Sequence, residues 1–419
     1  MGQTLAQKIL SKVSNKKSAN PGDIIWAKVD RAMMDDILGP RVEIAEGIKE
    51  LGDRIWDPNK VVIISDHYTP PCTQHQADIV QFTKNWAKAY KIKNYFEYEG
   101  PCHQVMAEKG FVKPSTLVVG TDSHTCMAGA LGAFGTGIGS TEMLGVLITG
   151  EIWLRVPESI QVIWQGCLNE GVYAKDMVLY DCGQIGHAGA TYKVIEYSGD
   201  TIDGLVMDER MAIANMAVEM GAKTGLIPVD EVTKKYLGNI GITEYDVLKP
   251  DEDAKYAHTY INKATTLVPQ VACPHNVDNV KPITEVEGEN LDQAYVGSCT
   301  GGRLNDLRLA AKIVKNKKIY PGMKFLVSPA SKSIYKQALK EGILEILADS
   351  GATIVAPSCG LCLGAHTGIL ASGERCISST NRNFIGRMGS KESEIFLASA
   401  ATVAASALEG RIADPRKYL

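Results

Sequence analysis

Cys359 and Cys362 stand three positions apart in the run APSCGLCLG, among small residues, and the chain has no second pair at that spacing. Two such thiols can be packing residues, half of a closed zinc site, or half of an iron–sulfur ligand set. Zinc wants four ligands, and His366 follows at a ligand-like distance. An iron–sulfur cluster wants a further, distant cysteine, and Cys299 in VGSCTGGR is the candidate. Three thiolates around a 4Fe–4S cube would leave one iron without a cysteine, free to act as a Lewis acid on a substrate oxygen. Other polar pairs could share that chemistry. Asp66-His67 and Asp122-Ser123-His124 stop apolar runs in the same way as Cys299 does.

These residues follow short apolar runs. Lys60 to His67, Ser115 to Thr125, Leu291 to Thr300, Gly351 to Cys359 and Cys376 to Asn383 each read as a strand ending in polar or thiol residues. Arg303 to Asn316 and Ser331 to Ser350 read as helices between them. Strand, helix and strand at this spacing predict parallel βαβ units, whose ligands bind beyond the carboxyl ends of the strands. If the strands leading to Cys299 and Cys359 are neighbours in one sheet, their loops converge at one edge. Breaks in pattern near Val156-Pro157 and in ACPHNVDNVKP divide the chain into α/β domains at 1–157, 158–275 and 276–419. The glycine-rich segment Gly129 to Glu142 lacks a Lys-Ser/Thr pair, so it reads as a place of close backbone approach, not a phosphate cradle.

Composition fits an ordinary globular chain: of 419 residues, 45% are apolar and 22% charged, with a net charge of −4. That balance gives no footprint for nucleic acid. No apolar run is long enough for a membrane span, and the first residues lack the apolar core of a secretory signal, so a cytoplasmic location is expected. Ten cysteines are too few for a disulfide scaffold and are expected to be reduced.

Taken together and in order, TDSHT, VGSCT, PSCGLCLG and STNRNFIGR resemble the aconitase superfamily over essentially the whole chain. The likeness is strongest to its separate large subunits, those of the 3-isopropylmalate dehydratase and homoaconitase type. The resemblance implies three α/β domains with mostly parallel sheets around a central iron–sulfur site. It implies that Cys299, Cys359 and Cys362 ligate a 4Fe–4S cluster with one iron not held by cysteine, and that Asn215 and Asn381 contact it. Asp66, His67, His103, Asp122, Ser123, His124 and Glu219 match catalytic positions, and Arg382 and Arg387 match substrate-binding ones. The implied activity is a hydro-lyase on hydroxy-dicarboxylic acids, foremost the isomerisation of 2- and 3-isopropylmalate in leucine biosynthesis. Homoaconitase, citramalate and 2,3-dimethylmalate chemistry are alternatives, and an RNA-binding relative or a zinc-stabilised module are readings of another class.

Two departures from the family pattern stand out. Gly301-Gly302 replace the asparagine usual after GSCT, which implies an amide lost or replaced near the cluster. The swivelling domain with the serine base has no counterpart in the sequence, so a separate small subunit is expected to supply the base and the substrate-selecting loop.

Overall fold

The computed structural model describes residues 2–419 as an α/β protein built on three principal sheets. The first is five-stranded and wholly parallel, ordered Asn94–Glu97, Val61–Ser65, Arg31–Met34, Leu117–Gly120 and Phe134–Gly137. Val61–Ser65 is buried at every position, as expected of a strand covered on both faces, where the apolar run is continuous and not alternating. The second sheet is four-stranded and parallel: Thr224–Leu226, Val194–Ser198, Ser159–Gln165 and His258–Lys263. The third has seven strands: Val280–Pro282, Gln270–Ala272, Glu394–Leu397, Arg375–Ser378, Gln293–Val296, Lys324–Val327 and Thr353–Ile354. Its first two pairings are antiparallel and the rest parallel. A two-stranded antiparallel ribbon, Ile24–Lys28 with Glu151–Arg155, completes the first third.

One condition set by the sequence is not met, and two sequence expectations change. The strand Thr353–Ile354 is not the neighbour of Gln293–Val296, because Lys324–Val327 lies between them. The neighbour of Gln293–Val296 on its other side is Arg375–Ser378, so the loops after Val296 and Ser378 emerge side by side. The stretch 331–350 is two helices, Lys332–Lys340 and Ile343–Ser350, separated at Gly342 (φ +70°), a backbone state that costs glycine little. ACPHNVDNVKP is not a linker. It closes the hairpin between Gln270–Ala272 and Val280–Pro282, so a division after residue 275 would cut one strand from its sheet. The chain passes between the second and third sheets after Lys263 and before Gln270.

The glycine-rich segment is a place of close approach. A Cβ on Gly137 would stand 2.7 Å from Ser123 Cα and 2.9 Å from the Asp122 carbonyl oxygen. The bare backbone thus lets Phe134–Gly137 pass directly behind the loop that follows Leu117–Gly120. Among the described residues no helix is long and apolar enough to cross a membrane, and all ten cysteines are free.

Because the obstacle at Gly137 is backbone, it cannot swing aside. Gly137→Ala is expected to cost about 1–3 kcal/mol, as overpacking does. Urea unfolding of the chain measures this, and an unchanged midpoint would show that the loop yields without strain.

Candidate active site

The carboxyl ends of five strands deliver the polar groups to one hollow. Val61–Ser65 leads to Asp66-His67, Leu117–Gly120 to Asp122–His124, Gln293–Val296 to Cys299, Arg375–Ser378 to Asn381 and Arg382, and Thr353–Ile354 to the loop of Cys359 and Cys362. The helix Cys102–Glu108 contributes His103. The helix Met207–Met216 ends with Asn215, and the one-turn extension Ala217–Met220 carries Glu219 on the same side.

Asp122 is the hub on one side. Its Oδ1 accepts from the backbone N of His124 at 2.7 Å and lies 2.9 Å from His103 Nε2 and 3.3 Å from His124 Nδ1. Burial pushes the Asp122 carboxyl upward, but the charge and hydrogen bond of His103, joined by His124, hold it well below the usual range. His124 Nε2 meets Glu219 Oε1 at 2.8 Å. Arg382 Nε donates to both Glu219 oxygens, at 2.8 and 3.1 Å, and Arg382 Nη2 donates to Ser123 Oγ at 3.0 Å. One unbroken line of contacts therefore runs Arg382, Glu219, His124, Asp122, His103. Burial again opposes ionisation of Glu219, and His124 and Arg382 override it, so its carboxyl stays below the ordinary value.

On the other side, His67 Nδ1 lies 2.9 Å from Asp66 Oδ1 and 3.1 Å from Asp36 Oδ1. Burial works against a charged ring, but the Asp66 and Asp36 carboxylates raise His67 well above its normal value. Its free Nε2 points toward Asp122 Oδ2, 3.8 Å away. Asp66 Oδ2 accepts from the Cys102 backbone N at 2.6 Å, whereas Oδ1, despite its closeness to the ring, has no hydrogen-bond partner. The Asp66 carbonyl accepts from the Cys359 backbone N and from Ser358 Oγ, both at 2.9 Å, and so pins the CxxC loop to the first sheet.

The thiols complete the ring. Asn215 Nδ2 donates to Cys299 Sγ at 3.2 Å, and Asn381 Nδ2 reaches the same sulfur at 3.7 Å and Asn215 Oδ1 at 2.6 Å. The adjacent Cys359 thiol, with Arg387, holds Cys362 well below the ordinary thiol value against its burial. Arg387 Nη2 lies 3.9 Å from Cys362 Sγ, while its buried Nε has no partner. His366 does not join the thiols. Its Nε2 meets Ser358 Oγ at 3.1 Å and its Nδ1 meets Thr367 Oγ1 at 3.0 Å, so it braces the loop and the zinc reading loses its fourth ligand. Every residue singled out in the sequence thus lies around this one hollow.

Sequence reasoning passed over two residues that hold the hollow together. Asp36 follows the strand Arg31–Met34 and takes three donors from the Asp66-His67 loop: the backbone N of His67 (3.0 Å), that of Tyr68 (2.9 Å) and the His67 ring. The run AMMDD carried the same strand-end signature as the others. Arg303 is wholly buried, with Nε on Gln104 Oε1 at 2.9 Å and Nη2 on Met127 Sδ at 3.0 Å, tying the Cys299 loop to the helix of His103. Nothing in GGRLND marks it as more than a helix-start residue. The missing asparagine also finds an account. A Cβ on Gly301 would stand 2.2 Å from Ser379 Oγ, so Ser379 occupies that space, and the amides near Cys299 come from Asn215 and Asn381.

Asp36→Asn should lower the His67 titration midpoint. One of the carboxylates favouring the protonated ring, beside Asp66 and Asp35, is gone, so the ring releases its proton at lower pH. NMR titration of the imidazole checks this, and an unmoved midpoint would show that Asp36 does not hold the ring protonated.

Residues 7–410 match the aconitase family (aconitate hydratase). The chain is 48% identical over 421 residues to 3-isopropylmalate dehydratase large subunit 1 of Methanopyrus kandleri, with 100% of each covered. It is 46% identical over 424 residues to the 3-isopropylmalate dehydratase large subunit of Aquifex aeolicus, covering 99% of this chain and 97% of that one. It is also 48% identical over 393 residues to the probable methanogen homoaconitase large subunit of Methanosarcina mazei, covering 93% and 99%. Such a match implies an iron–sulfur cluster, and the hollow fits one. Cys299, Cys359 and Cys362 lie close enough for each to feel the others' charge, amide and guanidinium donors face the Cys299 and Cys362 sulfurs, and the buried Arg387 Nε has no partner. On the extent of the match and the site it frames, this chain belongs to the aconitase family.

Proposed function

We propose that this chain is the large, cluster-bearing subunit of a hydro-lyase that interconverts 2- and 3-isopropylmalate through the shared unsaturated diacid, the chemistry used in leucine biosynthesis. The observation carrying the reading is the trio of convergent thiols beside an unbroken line of ion-paired histidines and carboxylates, in a chain 48% identical from end to end to a 3-isopropylmalate dehydratase large subunit. Cys299, Cys359 and Cys362 would hold a 4Fe–4S cluster, which when bound supplies a Lewis acid at the iron that no cysteine occupies.

The residues of the chain do the rest. His67, kept protonated by Asp66 and Asp36, holds the proton that leaves with the hydroxyl as water. His103 and His124, paired through Asp122, fix the hydrogen bonds around that oxygen, and Ser123 shares in them through Arg382. Glu219 holds His124 and Arg382 in register. Asn215 and Asn381 donate to Cys299 and stabilise its thiolate. Arg382 keeps Nη1, and Arg387 keeps Nε, for substrate carboxylates.

No residue of the hollow is assigned to take the carbon-bound proton. That base, with the loop that selects the side chain, belongs to a small subunit docked over the site. Phe384 and Ile385, 43% and 62% exposed between the two arginines, give such a subunit an apolar landing at the mouth. The likeness to a homoaconitase subunit keeps a longer-chain hydroxy acid as the second reading.

Anaerobic reconstitution followed by assay with the small subunit is the direct test. Iron and sulfide near about four per chain and turnover of both isopropylmalates only when the partner is present are expected. Bound zinc alone, or full turnover without the partner, would sink the proposal, and faster turnover of homoaconitate would select the second reading. Cys359→Ser should abolish the charge-transfer absorbance with the fold kept, as far-ultraviolet circular dichroism reads it; a wild-type spectrum removes Cys359 from the ligand set.

Arg382→Lys replaces a planar fork by a point charge and breaks the two-point contact with Glu219. It should raise KM by roughly tenfold or more, the equivalent of about 1.4 kcal/mol. An unchanged KM would place Arg382 outside the substrate contact.

A further inference from the structure

Lys175 lies in the first turn of the helix Ala174–Ile185, and only 5% of its surface is exposed. Its ammonium donates to the Thr380 carbonyl at 2.7 Å, the Ser379 carbonyl at 3.3 Å and Met216 Sδ at 3.1 Å. Among the described residues no carboxylate lies within ion-pair reach of it. Two circumstances make this an expensive place for a cation. It is out of water, and it sits at the positive end of a helix dipole. Asp176, next in sequence, is taken up by the backbone N–H groups of Tyr173 and Gln270, both at 2.9 Å. Burial pushes Asp176 and Asp306 up to about 7, so neither is a firm counter-charge.

Burial lowers Lys175 to about 8, and the groups whose negative charge would raise it again are Cys182, Cys299 and Cys362, with Asp306. Its contacts lead to the same place. Met216 follows Asn215 and Thr380 precedes Asn381, and those two amides are the donors to Cys299 Sγ. Lys175 thus grips, from behind, both segments that touch one cluster ligand.

We infer that Lys175 is a positioning residue and the buried counter-cation of the iron–sulfur group, fixing the Asn215 and Asn381 segments and offsetting the net negative charge of a three-thiolate cube. This rests on the cluster reading above. A buried positive charge beside a cluster favours its reduced, more negative state, so it belongs to the set of forces that tune the potential.

Lys175→Gln keeps a donor for the carbonyls and removes the charge, while Lys175→Arg keeps the charge. In anaerobically reconstituted protein, spectroelectrochemistry should show the Gln variant tenfold or more harder to reduce, about 59 mV lower for one electron, with the Arg variant within threefold of wild type. A cluster-loaded Gln variant with the wild-type midpoint overturns the inference. If Gln cannot take up the cluster, uptake by a folded Arg variant at the wild-type level supports it, and refusal by both alike overturns it. Failure of wild-type protein to load any cluster would instead strike the cluster reading itself.

Discussion

Charge in this hollow survives burial only in alternation. Asp122 is the clearest case: a carboxylate in a site from which water is largely excluded, kept ionised because His103, His124 and a backbone N–H all face it. Removing any member would leave its neighbour buried and unpaired, which is far more costly than the pair itself is stabilising. The line from Arg382 to His103 must therefore be built as a unit, and it spans the first, second and third sheets. It is this requirement, more than any single contact, that fixes how the three sheets stand around the site.

The backbone enforces the same alignment. The Asp66 carbonyl receives the CxxC loop, and its carboxylate receives the start of the His103 helix through the Cys102 N–H. Asp66 therefore ties the first sheet, the third sheet and the His103 helix together with one residue. Arg303 repeats the device from the opposite direction, reaching from the Cys299 loop to Gln104. Such links cross large sequence separations, and they turn loops, ordinarily the mobile part of a βαβ fold, into rigid carriers.

The strand ends were legible because parallel strands are continuous apolar runs and the polar residues that follow them stand out. VVIIS before Asp66-His67 shows both halves of that signal. The hairpin 270–282 was not legible, because its turn-rich centre has the composition of a linker and its strands are only three residues long. Sheet order was also hidden. Periodicity marks strands but says nothing of which lie together, and Lys324–Val327, which separates the strands before Cys299 and Cys359, ends in no ligand that would draw the eye. Asp36, Arg303 and Lys175 were missed for a common reason. Each acts by satisfying groups distant in sequence, and a lone charged residue at an element's end reads as solvent-facing until its burial is known.

The glycine after GSCT bears on how far substrate identity can be argued from that position. The Cβ direction of Gly301 faces Ser379, whose Oγ accepts from Gly297 N at 2.9 Å and whose carbonyl accepts from Thr300 Oγ1 at 3.0 Å. Ser379 also leads, through Thr380, into Asn381, whose Oδ1 accepts from Thr300 Oγ1 at 2.7 Å. A side chain at 301 would displace Ser379 and with it the approach of Asn381 to Cys299. The exchange is therefore internal to the packing of two adjacent strand-end loops, with small residue and serine compensating one another. On the function proposed above, selection among hydroxy acids falls to the mouth beside Arg382, Arg387 and the exposed Phe384 and Ile385, and to the small subunit proposed to cover them.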